Sequence, residues 1–353
     1  MMKRLSDVCT KGSSNIAQKD LDTRSGDYPI YGASGFIKNV DFYHQEKPYI
    51  AIVKDGAGVG RVMKLPAKSS VIGTMQYIIP NEDVSVDYLA YALEHMNLSK
   101  YYLGAAIPHI YFKDYCNEPL PNHTVEEQET ISHMLGVVCN SISLRKQQLS
   151  KLDELVKSRF IEMFGDPVSN DKGWPHQAMD KVAPSSAYSG VNSEKVWLLN
   201  LDMVEAQTGR IIGYLYVDKE QVGNSTCGFD EGNVLYSKLR PYLNKVVVPN
   251  QTGYCTTELV PLRPNAKLNR QFLAYLLRSD AFVSFINEKV AGAKMPRVSM
   301  NVFREFECIL PPIELQNQFA AFVEQVDKSK LAIQKSLEKL ETLKKSLMQK
   351  YFG

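Results

Sequence analysis

The chain has no apolar run approaching the roughly 18 residues of a membrane-spanning helix. Its opening, MMKRLSDVCTKG, lacks the apolar core of a secretory leader. A soluble, cytoplasmic protein is therefore expected. The six cysteines (Cys9, Cys116, Cys139, Cys227, Cys255, Cys308) are scattered without a CxxC pair, so neither a zinc site nor a disulfide framework is signalled and buried free thiols are expected. The six histidines (His44, His95, His109, His123, His133, His176) show no HxxxH or HExxH spacing, and no metal site is expected. Gly56-Ala57-Gly58-Val59-Gly60 neither opens a helix with GK[ST] nor forms GxGxxG, so it reads as a hairpin turn and not as a phosphate cradle. DPPY-like or NPPF-like tetrapeptides, which serve adenine methyl transfer, are also missing. Catalysis by this chain is not expected. A large charge excess is absent too: the net charge is +2, distributed as 0 over 1–121, −1 over 122–165, +1 over 166–310 and +2 over 311–353. A protein gripping nucleic acid by its phosphates carries a basic surplus on the binding face. Any such face here must be balanced by acids elsewhere or supplied by a partner.

What the chain does have is a long duplicated stretch. Residues 125–165 lie on 313–353 without a gap at a constant offset of 188, with 12 of 41 positions identical, among them Gln128/Gln316, Leu149/Leu337, Leu152/Leu340, Leu155/Leu343 and the closing Phe164-Gly165/Phe352-Gly353. Steps of four and three land on apolar residues, as a coiled-coil seam requires. The first seam reads Ile131, Leu135, Val138, Ile142, Arg145, Leu149, Leu152, Val156, Arg159, Met163; the second reads Phe319, Val323, Val326, Lys330, Ile333, Leu337, Leu340, Lys344, Leu347, Tyr351. The basic interruptions never fall at matching positions, so each helix is expected to pair with the other. Arg145 and Arg159 either snorkel along the facing helix or mark where partners dock. Tyr351 and Phe352 fit either packing or partner contact. A helix of about 39 residues spans about 58 Å, and an antiparallel pair would hold two lobes at its ends with a pseudo-twofold relation.

The segments before each helix repeat one another in order. In 1–121, Ser25 to Ile37, Pro48 to Pro66 and Val71 to Pro80 read as strands with glycine-punctuated turns, followed by a helix from Val86 to about Leu103. In 166–310, Trp197 to Leu201, Arg210 to Val217 and Gly232 to Val246 read as strands, and FLAYLL (Phe272 to Leu277) echoes YLAYAL (Tyr88 to Leu93). Pro108 and Pro296, again 188 apart, introduce the turns before the long helices. The repeating unit is a lobe plus a long helix, present twice.

YPIYGASGFI, SKLRPYLNKV, TTELVPLRP, PRVSMNVF, LPPIELQNQ and the double ending RFIEMFG/LMQKYFG resemble the recurring phrases of the DNA-specificity (S, HsdS) subunits of type I restriction-modification systems. The resemblance covers essentially the whole chain. It implies an α+β fold with two similar mixed α/β target recognition domains, 1–121 and 166–310, joined and separated by two long helices, 122–165 and 311–353, in an antiparallel coiled coil. It also implies a non-catalytic subunit that binds double-stranded DNA, two methyltransferase (M) subunits and, in the full complex, two restriction (R) subunits, with no membrane partner. No cofactor is expected on this chain; S-adenosylmethionine and ATP would belong to the partners. Two lobes separated by about one helical turn of DNA, about 34 to 36 Å, would read a split target with an unread spacer, and unlike lobes imply unlike half-sites. Candidate readers in the second lobe are Ser237, Lys238, Arg240, Tyr242, Lys245, Lys294 and Arg297, set against the bland reading of exposed turn residues and solvated strand ends. In the first lobe they are Tyr31, Ser34, Lys54, Arg61, Lys64, His109 and Lys113, where KLRPY is replaced by KDGAGVGR and PRV by PHI. Two other readings stay open: a free-standing bipartite DNA binder such as a regulator or antirestriction factor, and an adaptor whose rod joins two protein-binding lobes.

Overall fold

The computed structural model describes residues 2–102, 108–191, 193–290 and 296–353. The chain forms two compact units, residues 1–146 with 335–353, and residues 147–334. The long helices Val125–Phe164 and Ile313–Phe352 therefore each contribute one part to each unit. Among the described residues no helix is long and apolar enough to cross a membrane.

In the first unit a four-stranded antiparallel sheet runs Cys9–Ser13, Met75–Pro80, Tyr49–Val53, Val62–Leu65. A three-stranded sheet runs Gly35–Val40, Tyr28–Gly32, Ser70–Val71, the last pair parallel. Strand Tyr49–Val53 is buried at all five positions, because successive side chains point to opposite faces and both faces are covered. Ile50 and Ile52 enter a core with Tyr88, Leu89 and Leu93 of the helix Val86–His95. Tyr49, Ala51 and Val53 enter another with Ile30, Val40 and Val71. The sequence pattern suggested one strand from Val71 to Pro80; Ile72 to Thr74 instead turn the chain from one sheet to the other. The helix expected to reach Leu103 stops at His95, because Asn97 takes a left-handed conformation (φ 49°) that ends it.

The second unit repeats this plan. A three-stranded antiparallel sheet runs Val246–Val247, Val234–Ser237, Leu259–Leu262, and a four-stranded sheet runs Tyr216–Asp218, Lys195–Leu199, Gly253–Thr256, Thr226–Phe229 with its middle pair parallel. Val234 and Tyr236 face a core with Phe272 and Leu273 of the helix Arg270–Arg278, while Leu235 faces Trp197, Leu199 and Phe229. Of the expected strand from Arg210 to Val217 only Tyr216 and Val217 enter the strand Tyr216–Asp218 that pairs with Lys195–Trp197; Gly209 turns left-handed (φ 66°) and Ile212 N–H goes to the Met203 carbonyl, 2.8 Å. The second lobe also adds a helix, Asp280–Glu288, where the first has a single 3-10 turn, Leu98–Tyr101.

Within each unit the long helices run antiparallel and every seam position is turned from solvent. In the first unit Ile131, Leu135, Val138 and Leu337 are buried, with Ile142, Leu340 and Leu347 half-buried. In the second Val156, Phe319, Val323 and Val326 are buried, with Leu149, Leu152 and Ile333 half-buried. Toward the helix ends the buried face moves one residue off the seam, from Arg159 and Met163 to Phe160 and Phe164, and from Leu347 and Tyr351 to Met348 and Phe352. A helix of 3.6 residues per turn drifts about 20° per heptad from a strict seam, and the lobe cores capture the drifted faces: Phe164 packs on Phe272 with ring centroids 4.7 Å apart, and Phe352 on Tyr88 at 5.2 Å. Three of the four basic interruptions are neutralised locally. Lys330 meets Asp153 at 2.5 Å, Lys344 meets Glu94 at 2.8 Å, and Arg159 meets Glu162 of its own helix at 2.8 Å.

The identity of Gln128 and Gln316 has a structural cause. Both are buried. The Gln128 carbonyl accepts from Ser85 N–H (2.9 Å) and its amide donates to the His123 (3.1 Å) and Asp83 (3.3 Å) carbonyls. Gln316 accepts from Asn269 N–H (2.9 Å) and donates to the Pro311 (2.7 Å) and Lys267 (3.0 Å) carbonyls. Ser85 and Asn269 are the N-caps of the two lobe helices. Each glutamine thus clamps a lobe to the start of a long helix.

Candidate nucleic-acid interface

In the first unit, strands Tyr49–Val53 and Val62–Leu65 are joined by residues 54–61; in the second, Val234–Ser237 and Val246–Val247 are joined by 238–245. The two loops share a backbone despite unlike letters. Val53 N–H donates to the Arg61 carbonyl at 3.0 Å, as Ser237 N–H does to Lys245 at 3.0 Å. Lys54 N–H donates to Thr74 and Lys238 N–H to Glu258, each at 3.0 Å. Beside each loop lies the proline-led segment. Gly56 N–H reaches the Pro108 carbonyl (2.9 Å) and Ile110 N–H the Lys54 carbonyl (3.0 Å); Arg240 N–H reaches Pro296 (2.8 Å) and Val298 N–H reaches Lys238 (2.8 Å). Both loops turn left-handed at matching places, Gly56 (φ 83°) with Arg240 (φ 49°), and Gly60 (φ 84°) with Asn244 (φ 50°). Left-handed backbone costs a residue with a Cβ roughly 1 to 2 kcal/mol.

In the first corner Arg61 is exposed and its Nη1 donates to the Ala33 carbonyl (2.9 Å), which ties it to the turn carrying exposed Ser34. Tyr31 is half-buried at the base of that hairpin, its ring 6.0 Å from Phe36. His109 is hydrogen-bonded to Asp55 and lies 4.0 Å from the Tyr111 ring, over which Lys113 sits at 5.1 Å. Lys54 is half-buried at the loop's base. Lys64 lies apart, paired with Asp87 at the start of helix Val86–His95.

In the second corner Arg240 and Tyr242 are exposed at the head of the loop. Arg297 pairs across from Leu239, and its Nη2 lies 2.9 Å from Glu258 Oε1. Lys238 is half-buried. Two expected readers turn inward. Ser237 ends the central strand at a core position, equivalent to apolar Val53, and its hydroxyl donates to the Leu239 carbonyl (3.0 Å). Lys245 donates to the Leu201 carbonyl (2.6 Å), and burial lowers its ammonium pKa against the opposing effect of Asp202. Both shape the loop and do not reach out of it. Lys294 lies outside the described residues.

Several surface groups of these corners were not picked out by sequence. Tyr111 and Phe36, 50% and 60% exposed, flank the first corner; the spacing of His109 and Tyr111, two residues apart in an extended segment, was the available signal. In the second, Gln207 donates its amide to the Tyr242 carbonyl (2.9 Å), and Glu258 positions Arg297. Neither has a local signal, since both come from distant segments. Among the described residues no cluster of His, Cys, Asp or Glu could hold a metal ion.

Two lobes of one plan, each with a cationic and aromatic corner and each bound to a pair of long helices, define a duplicated reader on a helical support. The sequence profile of the type I restriction modification DNA specificity domain matches residues 1–154 and 205–345, so the chain belongs to that family. It is 21% identical over 386 residues to the type I restriction enzyme EcoDI specificity subunit of Escherichia coli, across 97% of this chain and 84% of that protein. It is 22% identical over 355 residues to the type I restriction enzyme MjaVIII specificity subunit of Methanocaldococcus jannaschii, across 90% and 81%. The crystal structure of a type I restriction-modification S subunit from M. genitalium is similar with TM-score 0.66 at 15% identity, over 100% of this chain and 96% of that one. A second structure, from work on assembly and conformational transition of the type I R-M system, gives TM-score 0.53 at 15% identity, over 100% and 97%. At such identities these structures establish the shared fold.

Proposed function

We propose that the chain is the DNA-recognition subunit of a type I restriction-modification complex. Each lobe reads one half of an asymmetric split target, and the helical pair sets the spacer and docks methyltransferase subunits, two per chain, with restriction subunits joining the full assembly. The observation that carries this reading is the duplicated corner: one backbone presents Arg61, His109 and Lys113 in one lobe and Arg240, Tyr242 and Arg297 in the other. Like scaffolds with unlike side chains suit a target whose halves differ. Arginine can address guanine through two hydrogen bonds, while lysine mainly contacts phosphate. The chain itself is non-catalytic and carries no cofactor; S-adenosylmethionine and ATP are bound by partner subunits, which methylate an adenine flipped from the duplex. The assembly is cytoplasmic, where its DNA is. A net charge of +2 leaves much of the phosphate grip to those partners, which disfavours a free-standing DNA binder.

The test is to map N6-methyladenine in cells with and without the chain, and to measure binding by the purified chain with and without its methyltransferase subunit. A bipartite motif lost with the chain, and tight specific binding only in the complex, are expected; strong specific binding by the chain alone sinks the partner-dependent reading. Within the complex, Arg297→Ala should relax one half-site only, by roughly 1 to 3 kcal/mol. An equal loss on every sequence would make Arg297 a phosphate contact.

A further inference from the structure

Of the six cysteines, two meet. Cys227 on strand Thr226–Phe229 and Cys255 on strand Gly253–Thr256 are directly opposed in antiparallel register, their sulfurs 3.4 Å apart. Opposed residues of an antiparallel pair have Cα atoms about 4.5 to 5.5 Å apart, inside the range of about 4.4 to 6.8 Å that a disulfide spans. Both thiols also point at one acceptor, the Leu259 carbonyl, at 3.6 and 3.7 Å. The other four cysteines have different surroundings: Cys9 and Cys308 are buried, bonded to the Leu5 and Ile309 carbonyls, Cys116 is bonded to the Lys113 carbonyl, and Cys139 lies beside Tyr91 and Lys344.

We propose that Cys227 and Cys255 form a peroxide-responsive disulfide site placed under the second reading corner. The two thiols have unequal parts. Cys227 is half-buried and reachable, and its pKa is lowered by the hydrogen bond from Cys255 and by the Lys238 ammonium, although burial opposes this. Cys255 is buried, and its thiol is held in the protonated form by its bond to Cys227 and by burial. By contrast, burial pushes Cys9 up to about 12, and burial with the nearby Glu307 carboxylate does the same for Cys308. A thiolate is the nucleophile, so Cys227 attacks hydrogen peroxide: an S–O bond forms, the O–O bond breaks, and hydroxide leaves with a proton as water, giving a sulfenic acid. The Cys255 sulfur then attacks Cys227, the S–O bond breaks, and the Cys255 proton leaves with the hydroxyl as a second water. Two thiols and one peroxide thus give one disulfide and two waters, with two electrons passing from sulfur to peroxide. A dithiol reductant reverses the change.

The consequence runs through Leu259. With the Cys255 S–H given to Cys227, the Cys227 S–H is the thiol donor to this carbonyl at 3.6 Å, and closing the sulfurs to about 2.05 Å removes it. Leu259 follows Glu258, whose carbonyl accepts Lys238 N–H at 3.0 Å and whose carboxylate holds Arg297 at 2.9 Å. Oxidation therefore loosens the anchor of Arg297 and of the loop base. Any effect on DNA rests on the function proposed above; the disulfide and the loosening do not.

The experiment treats the full chain with hydrogen peroxide and follows free thiols, peptide mass and amide hydrogen exchange, in wild type, Cys227→Ser and Cys255→Ser. Wild type should lose two of its six thiols and about 2 Da, yield a peptide pair linked through Cys227 and Cys255, and exchange faster by about tenfold or more around residues 237–240 and 256–260. Cys227→Ser should keep its five thiols, and Cys255→Ser should stop at an unlinked sulfenic acid on Cys227, about 16 Da heavier; neither should form the link or show the faster exchange, and dithiothreitol should restore the wild-type state. An undiminished thiol count, a link to any other cysteine, arrest at sulfinic acid on Cys227, or unchanged exchange in the linked protein overturns the proposal. A separate arm measures the methyltransferase complex on DNA, where oxidation should weaken discrimination at one half-site about tenfold, the scale of one lost base contact. Absence of specific binding in both redox states counts against the DNA reading and leaves the disulfide standing.

Discussion

Replacing Gln316 with leucine tests the clamp between lobe and helix. Gln316 is fully buried and makes three hydrogen bonds, accepting from Asn269 N–H and donating to the Lys267 and Pro311 carbonyls. Leucine nearly preserves the volume and removes all three partners at once. A buried polar group left unpaired costs about 1 to 3 kcal/mol, so three groups at the lower end imply a loss of about 3 kcal/mol. The damage is concentrated because Asn269 caps helix Arg270–Arg278, accepting from Gln271 and Phe272 N–H. For a unit of this size 1 kcal/mol moves Tm by roughly 2 to 4 °C, so the transition of the second unit should fall by roughly 6 to 12 °C. Differential scanning calorimetry on the full chain reads this directly, with urea unfolding as the free-energy measure. Gln128→Leu should lower the transition of the first unit, and the double variant should show both losses added, since the two clamps share no residue. A loss below about 1 kcal/mol in both variants, or both lowering the same transition, would refute the clamp.

The loop geometry predicts a contrast between two glycines. Gly60→Ala adds a left-handed penalty to a methyl that would sit 2.5 Å from Ser99 N and 2.9 Å from the Leu98 carbonyl carbon, whereas Gly56→Ala meets open space. The first should cost clearly more than the roughly 1 to 2 kcal/mol of the second in urea midpoints, and equal losses would contradict it. The Arg263 guanidinium beside Asp230, with help from Gly232 N–H, holds the Asp230 carboxyl below its ordinary range although burial opposes them. A depressed carboxyl stabilises the fold above its unfolded pKa of about 3.9 and loses that contribution as pH falls. The stability gap between wild type and Asp230→Asn, measured by urea unfolding, should be full at pH 7 and shrink on acidification below about pH 4; a gap independent of pH would exclude the pairing as its source. Four residues inserted at Ser150, a little more than one helical turn, should change the tolerated spacer between half-sites and leave both half-sites alone, as read by methylation mapping. An unchanged spacer removes the helices from that role.

What the sequence made legible is what repeats at fixed spacing. The heptad seam and the duplicated glutamines recur at an offset of 188 and the lobe-helix words at 184, and the structure puts them in equivalent places. The shared corner was harder to see because its likeness lies in backbone angles: Gly56 matches Arg240 and Gly60 matches Asn244, although no side chain agrees. Burial at strand ends was also hidden. Ser237 and Lys245 look like loop residues by composition, yet strand alternation puts the first in the core and a distant carbonyl of Leu201 draws in the second. Contacts made by segments far apart, such as Glu258 with Arg297, leave no local pattern at all.

The division of the two long helices between the compact units has a consequence for the order of folding. Residues 147–334 are continuous and hold all of the second unit, whereas the first needs 335–353, which supply Met348 and Phe352 to the core around Tyr88 and Leu93. During synthesis the first lobe must wait for residues 335–353, made after the whole of the second. The intervening stretch is long, but lengthening such a loop costs only about 0.6 kcal/mol per doubling. Once the second unit has folded, Asp153 and Lys330 already hold the two helices side by side, and closure needs little further ordering. A chain ending at residue 334 would therefore leave the first lobe with an open core while sparing the second.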